Sequence, residues 1–235
     1  MNLTNEFKDY ATKHMGVSAS DFEAWGHLQD RLYGAQASMT PYVLEERELR
    51  VTQIDIFSRM MMDRKIWLAG VVNDRMSTIV QAQLLFLDNL DSTQEITLHV
   101  DSPGGSVKSG LSMVDVINYI SCDIITINTG MAASMGSILL GCGTKGKRFS
   151  LPFSRVMLHQ VSSGAQGTLA DIKISLKEAE KYNDLLFGLL GQYTNKDPEV
   201  VKKDANRDLW LSAQEALDYG IIDGIITKKT KKTNK

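Results

Sequence analysis

The stretch EITLHVDSPGGSVKSGLSMVDVINYI, residues 95–120, passes from a strand through a glycine turn into a helix without a break. EITLHV (95–100) runs with Thr97, His99 and Asp101 on one alternating face, the period-two pattern of a strand. SVKSGLSMVDVINYI (106–120) has the length and apolar recurrence of a helix. Between them lies DSPGGS (101–106), where Pro103 stiffens the chain while Gly104 and Gly105 permit backbone angles and close approaches that a side chain would block. Such a loop presents N–H groups near the C-terminal ends of parallel strands, where α/β folds place their ligands. Those groups suit a phosphate or a developing oxyanion, although a tight turn without a ligand has the same sequence.

The same unit recurs to either side. KIWLAG (65–70) reads as a strand and RMSTIVQAQLLFLDNL (75–90) as a helix; IITIN (124–128) precedes a helix over 134–140, and RVMLHQ (155–160) is a further strand. Strand starts near 65, 95, 124 and 155 recur about every thirty residues, the length of one βα unit, and predict an α/β protein with parallel strands and packed helices. An open doubly wound sheet and a superhelical stack of such units satisfy this spacing equally. A helix from Thr168 to about Tyr193 follows, with Ile172, Leu176, Ala179, Leu185, Leu186 and Leu190 spread so widely around it that self-association is expected. A helix over 212–219 and a strand over 221–227 close the pattern.

The 235-residue chain is 43% apolar and 23% charged with a net charge of -2, which gives no reason to expect a nucleic-acid or membrane partner. No run approaches the roughly 18 apolar residues of a membrane span, and MNLTNEFKDYATKH lacks the apolar core of a secretory signal. Cys122 and Cys142 form no CxxC pair and read as reduced core thiols of a cytoplasmic protein. Residues 1–39 are polar apart from Phe22, Trp25, Leu28 and Leu32, which recur at helical spacing after a Ser20–Glu23 capping box. That extension reads as a mobile arm, a propeptide or a docking segment. KKTKKTNK (228–235) reads as a solvated basic tail.

Two glycine-rich segments carry opposite messages. GCGTKGKR (141–148) satisfies both G-x-G-x-x-G and G-x-x-x-x-G-K, but a helix precedes it and an extended segment follows, the reverse of a phosphate loop. Arg148 also stands where such a loop needs Ser or Thr, so these glycines end a helix and make a turn. GMAASMGS (130–137) instead runs from a strand into a helix, and Ala132-x-Ser134-x-Gly136 approaches the nucleophile elbow G-x-S-x-G. Ser134 sits at the positive end of a helix dipole, although a capping serine occupies the same place. Ser137 is one turn further on, inside the helix. Of the four histidines, His14 and His27 belong to the extension and His99 lies within a strand. His159, at a strand end before a loop, is the better candidate base. No metal-ligand spacing is present, and spacing does not choose among the aspartates.

In order, DSPGGS, GMAASMGS, KGKRFSLPFSRVMLHQ and NRDLWLSAQEALDYGIID resemble the Clp protease family of proteolytic subunits (peptidase S14) over residues 40–227. The resemblance implies a serine endopeptidase with Ser134 as nucleophile, His159 as general base and Asp208 as the orienting acid. It implies that the amides of Gly105 and Met135 form the oxyanion hole. Loss of one member of the triad then implies a turnover about 10⁴–10⁶-fold lower. It further implies a crotonase-like superhelical spiral of ββα units with a protruding helix–strand handle over 160–193, and a homo-oligomer of two stacked heptameric rings. An axial pore segment over 40–53 would admit unfolded polypeptides delivered by a hexameric AAA+ ATPase. No metal or organic cofactor is expected, the ATP being used by that partner. Residues 1–39 resemble a propeptide cleaved between Met39 and Thr40.

Some positions depart from the family pattern. Thr97 and His99 stand where tyrosines often line the ATPase-docking pocket, and Asn206 replaces a frequent acidic residue beside Arg207. These departures leave open a catalytically silent or specialised ring subunit of a mixed complex. A crotonase-type acyl-CoA enzyme is the remaining alternative, since it also uses paired backbone amides.

Overall fold

The computed structural model describes residues 42–47, 50–162, 164 and 166–228, with side chains from residue 54 onward. The expected extension over 1–39 with its helix, the Met39/Thr40 cleavage point and residues 229–235 of the tail lie outside the described residues. The chain divides into two compact units, at residues 59 and 60. In the first, β1 (Tyr42–Arg47) and β2 (Arg50–Asp55) form an antiparallel hairpin with Tyr42 opposite Asp55, which the sequence pattern did not suggest. Asp55 Oδ1 accepts the N–H groups of Phe57 and Ser58 and so opens α1 (Ile56–Met62), a helix also absent from the sequence reading.

In the second unit β3 (Lys65–Ala69), α2 (Asp74–Leu90), β4 (Ile96–Ser102) and α3 (Val107–Tyr119) alternate where the spacing predicts them. Asn73 and Ser106 cap the two helices by accepting the N–H groups of Met76 and Ser109. Burial alternates strictly along β3, and Leu68, Leu98 and Val100 are inaccessible to solvent. Next come β5 (Ile124–Ala133), α4 (Met135–Gly141), β6 (Arg148–Ser150) and β7 (Arg155–Leu158). They are followed by α5 (Leu169–Thr194), α6 (Pro198–Asp204), β8 (Leu209–Ser212), α7 (Ala213–Tyr219) and β9 (Gly224–Ile225).

The sheet order is β3-β4-β5-β6-β9, all parallel, with β7 pairing both β5 and β8. β5 is the branch point. Thr126–Asn128 pair with β6, whereas Met131–Ala133 pair with β7, after a register irregularity opposite Val100 and Ser102. A flat doubly wound sheet keeps one neighbour along a whole strand edge; here the bulged strand turns and takes two in succession. This is an α/β fold of the spiral kind, resolving the choice that spacing left open. α4 lies behind the branch with all seven residues buried.

Three expectations are corrected. The strand expected to end at residue 128 continues to Ala133, because β7 supplies partners for its second half. The strand expected over 221–227 is only Gly224–Ile225, since β6 offers just Phe149 and Ser150 to pair with. No strand is found among the described residues of 160–168, where the handle was expected to include one; no other strand of the described chain lies alongside to pair with it. α6 and β8 were not anticipated.

Arg148 explains the misleading glycines. It is 3% exposed, with Nη2 2.6 Å from Asp223 Oδ1 and Nε 2.8 Å from Oδ2, while Nη1 and Nη2 donate to the carbonyls of Tyr193 and Gly220. The loop therefore ends α4 and seats a buried ion pair. Burial works to raise the Asp223 carboxyl, but the Arg148 hydrogen bonds and charge outweigh it and leave the group below the usual carboxylate range. Cys122 and Cys142 are buried free thiols, and burial pushes Cys142 up to about 12. Along α5, Leu169, Ile174, Leu176 and Leu185 are exposed while Phe187 and Leu190 are buried, so only its C-terminal part packs on the core. No helix among the described residues is long and apolar enough to cross a membrane.

Candidate active site

Ser134 occupies the single residue between β5 and α4, with φ 54° and ψ -123°. A non-glycine residue in this region costs about 1–3 kcal/mol and persists only where its surroundings enforce it. Ser134 N–H donates to Met157 O at 2.9 Å, and Ser134 O accepts both the N–H (2.9 Å) and the Oγ–H (2.6 Å) of Ser137. Gly104, at φ 93°, packs so closely that a Cβ there would lie 2.6 Å from Ser134 Cβ and 2.8 Å from Ala133 O. Gly136 likewise faces Ser102 O, 2.8 Å from where a Cβ would be. The small residues around Ser134 are thus the condition for a sharp strand-to-helix corner.

The Ser134 side chain makes no capping hydrogen bond, which removes the capping explanation. Its Oγ lies 2.8 Å from His159 Nε2. His159 directly follows β7, so the β5–β7 pairing that holds Ser134 N–H also holds the imidazole. Ser137 points the other way, into the Ser134 carbonyl. His99 is excluded as a base: it stacks on Trp67 at 4.6 Å and 14°, and neither ring nitrogen has a partner among the described residues. Burial, with a smaller contribution from Lys65, lowers its pKa and so favours the neutral ring. His14 and His27 lie outside the described residues.

Asp208 is brought in by β7 and β8, which are antiparallel with Leu158 opposite Leu209. Continuing that register by one step puts His159 opposite Asp208. His159 Nδ1 and Asp208 Oδ1 are 3.5 Å apart, an ion-pair distance longer than a formed hydrogen bond. The Asp208 side chain is 61% exposed and that of His159 25%. Gln160 ties the two segments together, its Nε2 donating to Asn206 O at 3.2 Å. With Nδ1 protonated toward Asp208, the Nε2 lone pair faces the serine hydroxyl.

The two backbone donors are also in place. Met135 is the first residue of α4, where an N–H has no intrahelical acceptor. Gly105 forms a parallel bridge with Val72 made by Val72 N–H to Gly104 O (2.8 Å) and Ser106 N–H to Val72 O (2.9 Å), so its own N–H takes no part. A Cβ on Gly105 would overlap the Val72 carbonyl, which is why glycine stands there at φ 147°. Gly105, Ser134 and His159 line one cavity of about 190 Å³, whose apolar walls are Val107, Ile138, Leu186, Phe187 and Leu190. The α5 walls were missed from the sequence, where they look like ordinary core residues. Among the described residues no group of three or more His, Cys, Asp or Glu side chains could hold a metal ion.

Residues 46–229 match the family model for Clp protease. An ATP-dependent Clp protease proteolytic subunit of Porphyromonas gingivalis is 45% identical over 97% of this chain and 100% of its own length. Proteins of the same description from Bacteroides fragilis and Bacteroides thetaiotaomicron are 45% and 46% identical, each over 96% of this chain and 100% of their own.

Proposed function

The chain belongs to the Clp protease family and is a serine peptidase, and from that premise we propose that Ser134, His159 and Asp208 are its catalytic triad, with Gly105 and Met135 as oxyanion donors. The observation that carries this is the 2.8 Å contact between His159 Nε2 and the uncapped Ser134 Oγ on its strained corner.

The chemistry follows from those groups. His159 Nε2 takes the Ser134 proton as Oγ attacks a peptide carbonyl. The carbonyl oxygen, now negative, is met by the Gly105 and Met135 amides, each worth about 3–4 kcal/mol at comparable sites. The imidazolium, stabilised by Asp208, gives its proton to the leaving amine, which departs and leaves an acyl-serine. Water, deprotonated by the same imidazole, then releases the second product and restores Ser134. The apolar walls of the adjoining cavity suit an apolar side chain beside the cleaved bond. No step calls for a metal or an organic cofactor.

The relatives' description as ATP-dependent supports unfolded polypeptides as substrates and a Clp ATPase as partner, with ATP spent by that partner. The exposed apolar face of α5 supports association of copies through residues 160–193; membership of the family supports two stacked heptameric rings docked to a hexameric AAA+ ATPase. On this proposal residues 40–53 line the axial pore, 1–39 are a propeptide, 228–235 a solvated tail, and the cytoplasm is the compartment. Acyl-CoA chemistry is not favoured, since it has no use for a serine–histidine contact, and a silent ring subunit has no reason to keep a strained one. A fluorophosphonate probe followed by peptide mapping tests the assignment: label on Ser134, lost with all peptidase activity in Ser134→Ala, is expected. Full activity in Ser134→Ala overturns it.

A further inference from the structure

The cavity beside Ser134 has firm walls on two helices, α4 and α5, and one soft wall. Ile138, Phe187 and Leu190 are each no more than 3% exposed and belong to helices seated in the core. The remaining wall is Gln160, Val161 and Ser162, after His159, where the described residues have no regular secondary structure and no ladder hydrogen bonds. Behind it lies a second cavity of about 530 Å³, and the two share Gln160, Val161 and Asn183. Among the described residues two hydrogen bonds hold the partition, Gln160 Nε2 to Asn206 O at 3.2 Å and, at Val161 itself, Val161 N–H to Asn183 Oδ1 at 3.0 Å. Asn183 lies on α5 four residues before Phe187 and seven before Leu190, on the same helix face.

We infer that Asn183 is a positioning residue that sets substrate specificity: by holding Val161 it fixes the depth of the pocket taking the apolar side chain beside the cleaved bond. The inference rests on Ser134 being the nucleophile. Removing the Asn183 side chain takes away both the acceptor and part of the wall, and the smaller cavity opens into the larger. Bulky side chains then gain room, while those matched to the closed pocket lose contact. Among the described residues Asn183 makes no hydrogen bond to Ser134 or His159, so the serine–histidine contact does not depend on it.

The test uses the full chain and two otherwise identical fluorogenic peptides, with Leu or Trp before the cleaved bond. In Asn183→Ala the Trp-to-Leu ratio of kcat/KM is expected to rise about fivefold to tenfold, the scale of one neutral hydrogen bond and a small change of pocket. Asn183→Asp, which keeps an acceptor at the same place, is expected to hold the wild-type ratio. Fluorophosphonate should label Ser134 in all three proteins, which shows that the nucleophile is intact in each. An unchanged ratio in Asn183→Ala, with both substrates slowed together or neither, overturns the inference, and so does an equal shift in Asn183→Asp. Wild-type protein that takes no label at Ser134 overturns the assignment of the nucleophile and the inference with it.

Discussion

Replacing Asp208 with Ala should cost much less than replacing Ser134. The carboxylate acts by stabilising the imidazolium formed when His159 takes the serine proton, and the Nδ1–Oδ1 distance of 3.5 Å fixes the scale. Two unit charges at that separation attract by about 1.2 kcal/mol in a water-like medium and about 4.7 kcal/mol at an effective dielectric of 20. With Asp208 61% exposed, the first value is nearer its surroundings; with His159 only 25% exposed, the second is approached once a bound peptide displaces water. The expected loss is therefore about 10-fold to 10³-fold in kcat/KM, against about 10⁶-fold for Ser134→Ala. For the carboxylate, this lowers the roughly 10⁴–10⁶-fold expected from the sequence for loss of any triad member. The assay is hydrolysis of a fluorogenic peptide by wild type, Asp208→Ala and Ser134→Ala at matched concentration, with circular dichroism to confirm folding. A loss in Asp208→Ala as large as in Ser134→Ala would refute the reasoning, because an exposed carboxylate at this distance cannot supply that much. A loss below twofold would refute it too, by removing Asp208 from the reaction.

Ser137→Ala should keep activity within about fivefold and stability within about 1 kcal/mol, because Ser134 O retains the Ser137 N–H as donor; kcat and a thermal melt check this. Gly104→Ala should abolish labelling of Ser134 and cost about 1–3 kcal/mol, since the new Cβ meets Ser134 Cβ at 2.6 Å on a backbone at φ 93°; labelling and melting are read together. Asp223→Ala should destabilise by about 3 kcal/mol, the low end for stranding a buried charge because Asp223 is itself 18% exposed, lowering Tm by about 6–12 °C. The folded-state pKa of Asp223 is depressed, so its stabilisation is complete above the unfolded value of about 4 and is lost as pH falls through the folded one. The Tm gap between wild type and Asp223→Ala should therefore stay constant from pH 7 to about 5 and narrow below about 4; a gap that widens in acid would contradict the Arg148–Asp223 account.

Local pattern was enough for the elements that alternate. β3, β4, β5 and β7 start close to where a thirty-residue period puts them, because each carries its own burial pattern and α2 and α3 each have their own capping side chain. Ser134 was legible by place, on a corner between a strand and a helix with small residues around it. His159 was legible as a histidine at a strand end. What pattern missed is short or non-local: the hairpin of β1 and β2, the four residues of β8, the two of β9, and the apolar wall that α5 lends to the cavity. A four-residue strand carries too little alternation to announce itself, and Phe187 in the wall looks like any core phenylalanine.

By itself the sequence determined the alternation of strands and helices, the corner at Ser134 and the turn residues Gly104 and Gly105, since each depends on neighbours a few positions away. Residue pattern left open, and the tertiary structure shows, how the sheet branches at β5, that Ser134 Oγ faces His159 Nε2, and that Asp208, which only the family resemblance had named, stands opposite the imidazole. Those facts depend on which strands pair and in what register. In β7 and β8 one antiparallel register carries Asp208 across forty-nine residues of chain to His159, and a slip of one position would turn it to the other face.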